Sequence, residues 1–120
     1  MPACAVALGG LLGSLARYWL NMAIHAGVGT LFPLGILVVN VLGCFVIGFV
    51  ARYAAEHGAS PAWTLFLTTG LCGGFTTMSA FGLDTVLLAE QGHGTLAALH
   101  VAVTIAACLV AVRLGQLAAG

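Results

Sequence analysis

Asn40 lies in an apolar stretch, Val38-Val39-Asn40-Val41-Leu42-Gly43. Its amide offers two donors and an acceptor oxygen. Surrounded by hydrocarbon, that group needs a partner. Two readings stand: an interhelical hydrogen bond worth about 0.6 kcal/mol, or a donor that replaces water around an anion. His100, Thr104 and Cys108 succeed one another at i, i+4 and i+8, which places them on one face of a helix. Such a stripe could line a narrow path. It is equally compatible with a Thr bonded to its own i−4 carbonyl, a Cys acting as a small hydrophobe and a His at an interface.

The densest run of small and hydroxylated residues is Thr68-Thr69-Gly70-Leu71-Cys72-Gly73-Gly74-Phe75-Thr76-Thr77-Met78-Ser79-Ala80-Phe81-Gly82. Each Gly inside a helix costs about 1 kcal/mol relative to Ala. The run predicts a helix that breaks near Gly73-Gly74 and restarts after Thr77. Backbone freed at membrane depth is tolerated only where protein or a water-filled cavity satisfies it, and broken helices of this kind hold ions. A flexible kink with close packing is the alternative. Gly9 and Gly13 form a GxxxG, which favours close approach of helices. Asp84 is costly if deep and is expected to meet water or Arg17. The chain has no Ser/His/Asp arrangement on a nucleophile elbow, no HExxH and no phosphate loop, so no enzyme is expected. Cys4, Cys44, Cys72 and Cys108 have neither zinc nor secreted-scaffold spacing and are read as small core residues.

The elements that must position these residues are set by composition. The chain has 120 residues, 62% hydrophobic and 5% charged, with Lys+Arg 3, Asp+Glu 3 and net charge +0. Mean hydropathy is +1.16. A soluble surface needs roughly 25–35% charged side chains, and disorder needs low hydrophobicity; both are excluded. Without a basic patch no nucleic-acid partner is expected. The bilayer is the solvent that fits. At about 20 residues per span, the chain predicts an all-α membrane protein, one domain of four transmembrane helices over about 5–25, 33–52, 62–88 and 95–117, the third broken in mid-span. Arg17-Tyr18-Trp19 and Arg52-Tyr53 read as interfacial anchors near helix ends. Residues 26–30 form a loop, and Glu56, His57, Gly58, Ser60 and Pro61 a polar turn. The start lacks the basic region of a signal peptide, so the first helix is expected to be retained.

Three blocks carry a family resemblance. Gly9-Gly10-Leu11-Leu12-Gly13-Ser14-Leu15-Ala16-Arg17-Tyr18 resembles GGxxGAxxRY. Gly35-Ile36-Leu37-Val38-Val39-Asn40-Val41-Leu42-Gly43-Cys44-Phe45 resembles GTLxVNxxGxF. Gly70-Leu71-Cys72-Gly73-Gly74-Phe75-Thr76-Thr77-Met78-Ser79-Ala80-Phe81 resembles GFCGGxTTFSTF. Together they resemble the Fluc (CrcB) fluoride channels. The resemblance implies an antiparallel dual-topology dimer in the inner (plasma) membrane, with self or a paired homologue as partner and two fluoride pores. It implies a structural sodium ion (Na+) at the dimer centre, held by the carbonyls of Gly73 and Thr76. It assigns the pore to Asn40, Met78, Ser79 and Phe81, with a track over His100, Thr104 and Cys108, and gives Arg17, Gly74 and Thr77 structural roles. Met78 stands where the family has its first pore Phe, and Ala80 and Ile36 replace Thr. His100 and Cys108 replace common Tyr and Ser.

The charges fit dual topology. Arg52 and Arg113 fall on one side and Arg17 towards the other, a weak bias under the positive-inside rule. The implied function is passive export of fluoride, with hydroxyl and amide donors and the positive rim of Phe81 replacing the ion's water. A small dual-topology multidrug exporter is the rival, but it needs a membrane carboxylate that the first two spans lack. A non-transporting assembly subunit leaves the broken helix unexplained.

Overall fold

The computed structural model describes residues 2–27, 29 and 31–120. Val28 and Thr30 of the expected 26–30 loop lie outside them. Helix α1 spans Pro2–Gly27 and α2 spans Leu34–His57. The third crossing is built in pieces: α3 (Pro61–Leu65), a π-helix (Phe66–Cys72), α4 (Gly73–Phe75) and α5 (Met78–Glu90). Helix α6 covers Gly94–Ala119. Four stretches are long and apolar enough to cross a membrane: Pro2–Gly27, Leu34–His57, Pro61–Glu90 and Gly94–Ala119. The long axis of 49 Å exceeds the roughly 30 Å hydrocarbon layer, so the helix ends reach the headgroups.

Local chemistry sets the boundaries. Helix α2 continues past the Arg52-Tyr53 anchor, helped by an exposed Arg52–Glu56 pair at i,i+4. It stops at Gly58, which takes the left-handed conformation (φ 62°) and returns its amide to the Ala54 carbonyl, as a helix-ending Gly does. Ser60 opens α3 by accepting the Trp63 amide, with Pro61 in the first turn, where a missing N–H costs nothing. The expected polar turn is therefore shorter, because Glu56 and His57 belong to the helix.

Two glycine-mediated seams hold the molecule. A Cβ on Gly9 would strike the backbone at Phe66 and Leu71, and one on Gly13 would strike Leu71 and Phe75. On the second seam, Gly48 meets the Val112 backbone and Gly115 that of Phe45 and Phe49. Gly9 and Gly13 meet Phe66 and Phe75 in the same order along the chain, and Cys44, Gly48 and Arg52 meet Cys108, Val112 and Gly120, so α1 runs parallel to the third crossing and α2 parallel to α6. Large apolar side chains such as Leu8, Leu12, Trp19 and Leu109 point outwards, as expected where lipid is the solvent.

Two expectations need correction. Arg17 is not near a helix end: it is half-buried in the middle of α1, because the helix starts earlier and ends later than the apolar run suggests. The cysteines are not uniformly core residues, since Cys4 is exposed, Cys44 and Cys108 are half-buried and Cys72 alone is buried.

The seams generate a stability prediction. Gly48→Val or Gly13→Val forces backbone apart and is expected to cost about 1–3 kcal/mol, the usual range for overpacking. Gly94→Ala, with open space around it, should stay within about 0.5 kcal/mol. Thermal unfolding of the detergent-solubilised protein, monitored by tryptophan fluorescence, checks this. Unchanged midpoints for both Val variants would refute the seams.

Candidate functional site

The third crossing breaks at Thr76-Thr77, not at the glycines. Gly73 is helical (φ −61°, ψ −39°), whereas Thr76 (φ −85°, ψ 157°) and Thr77 (φ −150°, ψ 118°) are extended. The cause is competition for backbone groups. Asn40 on α2 accepts the Thr77 amide through Oδ1 at 2.8 Å and donates Nδ2 to the Thr77 carbonyl at 3.2 Å. In a continuous helix that amide would bond the Gly73 carbonyl. Likewise the Ala80 amide, which would bond the Thr76 carbonyl, is capped by Thr77 Oγ1 at 3.2 Å. Two carbonyls, of Gly73 and Thr76, are thus released from the helical ladder. Arg17 Nη1 approaches the Thr76 oxygen at 3.5 Å, beyond an ordinary hydrogen bond. Gly74 serves packing: a Cβ there would lie 2.6 Å from the Gly10 carbonyl oxygen.

Beside the break lies a cavity of about 530 Å³, bounded by α2, the third crossing and α6. Of the residues singled out in the sequence, Asn40, Gly73, Thr76, Thr77, Met78, Phe81, Thr104 and Cys108 line it. Ser79 does not; it is exposed and its hydroxyl pairs with that of Thr77 at 3.3 Å. Thr68, Thr69, Cys44 and Cys72 also line it, and sequence reasoning assigns them no such place. Spacing could have revealed two of them, because Cys44 lies one helical turn after Asn40 and Cys72 one turn after Thr68. The hydroxyls are not equivalent. Thr68 donates to the Thr64 carbonyl and Thr76 to the Cys72 carbonyl, so each presents only oxygen lone pairs inward. The donor left over beside the break is the second N–H of the Asn40 amide.

His100 differs from the expected position on a lined stripe. It is fully buried, not at an interface, and does not line this cavity. Its ring lies edge-on to Phe32 (centroids 5.3 Å, 89°) and tilted against Phe81 (4.9 Å, 48°). Nδ1 is 3.3 Å from Thr104 Oγ1, and Nε2 has no hydrogen-bond partner. Beyond Phe32 is a second cavity of about 200 Å³, lined by His25, Asp84 and Gln91 among others. The expected Arg17–Asp84 pairing does not form; Arg52–Glu56 is the ion pair among the described residues. Asp84 interacts electrostatically with His100 and His25 instead. Among the described residues no group of three His, Cys, Asp or Glu could hold a metal ion.

Comparison with known proteins fits this architecture. Residues 4–116 match the family described as CrcB-like protein, Camphor Resistance (CrcB). A "Fluoride-specific ion channel FluC" of Rhodospirillum rubrum is 43% identical over 117 residues, covering 95% of this chain and 91% of the relative. One of Paramagnetospirillum magneticum is 45% identical over 118 residues, with the same coverage. A "Fluoride-specific ion channel FluC 2" of Symbiobacterium thermophilum is 45% identical over 112 residues, covering 92% and 91%. With a family match over nearly its whole length and relatives at this identity, the chain belongs to the CrcB family.

Proposed function

We propose that this chain is a fluoride-selective channel of the inner membrane, exporting fluoride passively and so limiting its toxicity. The observation that carries the reading is the Asn40–Thr77 clamp beside a cavity lined by Phe81 and Thr104, in a chain whose relatives are fluoride-specific channels. Fluoride that enters a cell as neutral HF ionises there and needs a path out. A small, strongly hydrated anion gives up its water only to donors. The free N–H of Asn40 is a donor on the cavity wall, the Thr104 hydroxyl becomes one whenever His100 Nδ1 does not take its proton, and the rim of Phe81 is electropositive. Ser79 lies outside that wall in the single chain and reaches it only through the Thr77 hydroxyl. Weak serial contacts let the ion leave again, whereas a fixed cation would hold it.

The cavity is unsuited to lipid. Met78 is 77% exposed, and Thr69 and Gly73 are exposed beside it, so polar backbone would face hydrocarbon at a cost of several kcal/mol per group. A second copy in the opposite orientation would cover it and complete a conduit on each side. The charges do not select this arrangement: with Arg17 drawn to mid-membrane, Arg52 and Arg113 are left on one side and favour a single orientation, so the exposed break is what calls for the second copy. The released carbonyls of Gly73 and Thr76 suit a hard cation such as sodium, which prefers oxygen ligands. They would hold it near the dimer axis, where it supplies a fixed positive charge and a cross-link between helix breaks. Arg17, already facing the Thr76 oxygen, supports the same site.

Purified protein in liposomes is expected to pass fluoride down its own gradient with no proton gradient imposed. Strict dependence on a proton gradient would point to a coupled transporter.

Asn40→Asp keeps the acceptor for the Thr77 amide but loses the donor and adds negative charge. Flux should be abolished while oligomeric state by light scattering is unchanged. Wild-type flux in an intact dimer would make Asn40 a packing residue only.

Met78 has no ring quadrupole, so fluoride leans on Phe81. Phe81→Ile should depress initial efflux more than Met78→Ile at matched protein density, and Met78→Phe should keep or raise it. These apolar swaps cost about 1.5 kcal/mol or less. Loss of efflux in an intact Met78→Phe dimer would mean the conduit is built around methionine.

A further inference from the structure

His100 lines neither cavity but touches residues that line each of them. Phe81 and Thr104, which touch it on one side, line the larger cavity. Phe32, which touches it on the other, lines the smaller one together with Asp84 and His25. The imidazole has no solvent exposure, yet Nε2 has no partner. Buried polar atoms are satisfied almost without exception, so an orphan marks a place for a water or a ligand. With Nδ1 accepting the Thr104 hydroxyl, Nε2 carries the hydrogen and is a donor without an acceptor.

We propose that this residue is a proton-operated gate: protonated His100 takes a fluoride ion at Nε2–H and passes it between the two cavities. This rests on the fluoride-channel reading and adds a proton-binding step to it. The proton comes from water and stays on the imidazole while fluoride enters and leaves, so no proton is carried across. A bare fluoride ion between two aromatic rings is strongly disfavoured. An imidazolium–fluoride pair is neutral overall and far less costly to bury.

The surroundings favour this role. Asp84 on α5 is the titratable group that acts on His100 from a neighbouring helix, and His25 on α1 acts on Asp84 in turn across the smaller cavity. Residues 34–39 of α2 bring none, and on α6 the neighbour is the Thr104 hydroxyl. The carboxylate of Asp84 steadies the imidazolium when no anion is present. Histidine is the side chain whose ordinary range is about pH 5–8, and His25 on the wall of the smaller cavity is a second one, so the gate's own pH dependence is the part that substitution of His100 removes.

The test measures fluoride efflux from liposomes with equal pH inside and out, between about pH 5 and 8. The HF leak of protein-free liposomes is subtracted. Wild-type flux is expected to rise several-fold towards the acidic end of that range. His100→Gln, which keeps a donor but cannot be protonated, and His100→Tyr should both conduct with a flat profile. Asp84→Asn should move the wild-type midpoint to lower pH. In parallel, nitrogen-15 NMR of ring-labelled histidine in nanodiscs tracks the titration of His100, assigned by its loss in His100→Gln. Linkage is reciprocal, so sodium fluoride should move that titration to higher pH than sodium chloride does, leaving His57 and His93 unmoved. A wild-type profile that superimposes on that of His100→Tyr, or identical titrations in the two salts, overturns the gate. Absence of efflux at every pH would overturn the channel reading instead, and the NMR comparison would still decide whether His100 binds fluoride.

Discussion

A single amide side chain holds both polar atoms of one peptide position: Asn40 accepts the Thr77 N–H and donates to the Thr77 carbonyl. Within a bilayer no water is available to compensate a broken helix. The break therefore exists only where a side chain on another helix takes over the lost bonds. Asn40 does this from inside α2, which in turn fixes the distance and rotation of α2 against the third crossing. Thr77 completes the exchange by capping the restarted helix at Ala80. The carbonyls of Gly73 and Thr76 are left over from the helical ladder.

The clamp works because the helices come close enough for it. Gly43 lies against the Thr76 methyl group, and Gly74 against Gly10 and Ser14; a side chain at either place would move the break away from Asn40. The π-helical turn over Phe66–Cys72 belongs to the same arrangement. It inserts extra backbone where Gly70 approaches Gly9, and π-turns recur at functional sites inside helices. Packing in this protein is therefore specified less by large side chains than by where none is present.

Much of this is legible in the amino-acid order. Apolar run lengths reveal four crossings, and the Thr68–Gly82 run marks the third as irregular. The restart after Thr77 falls where it is expected, but propensity opens the break two to three residues early because Gly is the usual helix breaker, while the actual cause is a tertiary hydrogen bond from Asn40, 37 residues away in sequence. Arg17 departs from its expected place for a related reason: an arginine beside Tyr and Trp is normally interfacial, but here the freed Thr76 carbonyl offers it a partner in mid-helix. His100 shows the limit of periodicity. Its spacing puts it on the right face with Thr104 and Cys108, but only the ring contacts with Phe32 and Phe81 reveal that it sits between residues of two cavities rather than lining one.

The distribution of charge obeys the same constraint. A path for an anion through hydrocarbon must offer donors without trapping the ion, so the cavity wall carries amide, hydroxyl, thiol and ring edges and no fixed cation. Arg17 stands outside that wall, aimed at the Thr76 carbonyl, so its charge acts on the break as a whole. Histidine is the one side chain that can be neutral at one moment and cationic at the next near neutral pH. Placed between residues of the two cavities and left with an unpaired nitrogen, His100 carries positive charge only while it is protonated, which is how the proposed gate would bind an anion and still release it.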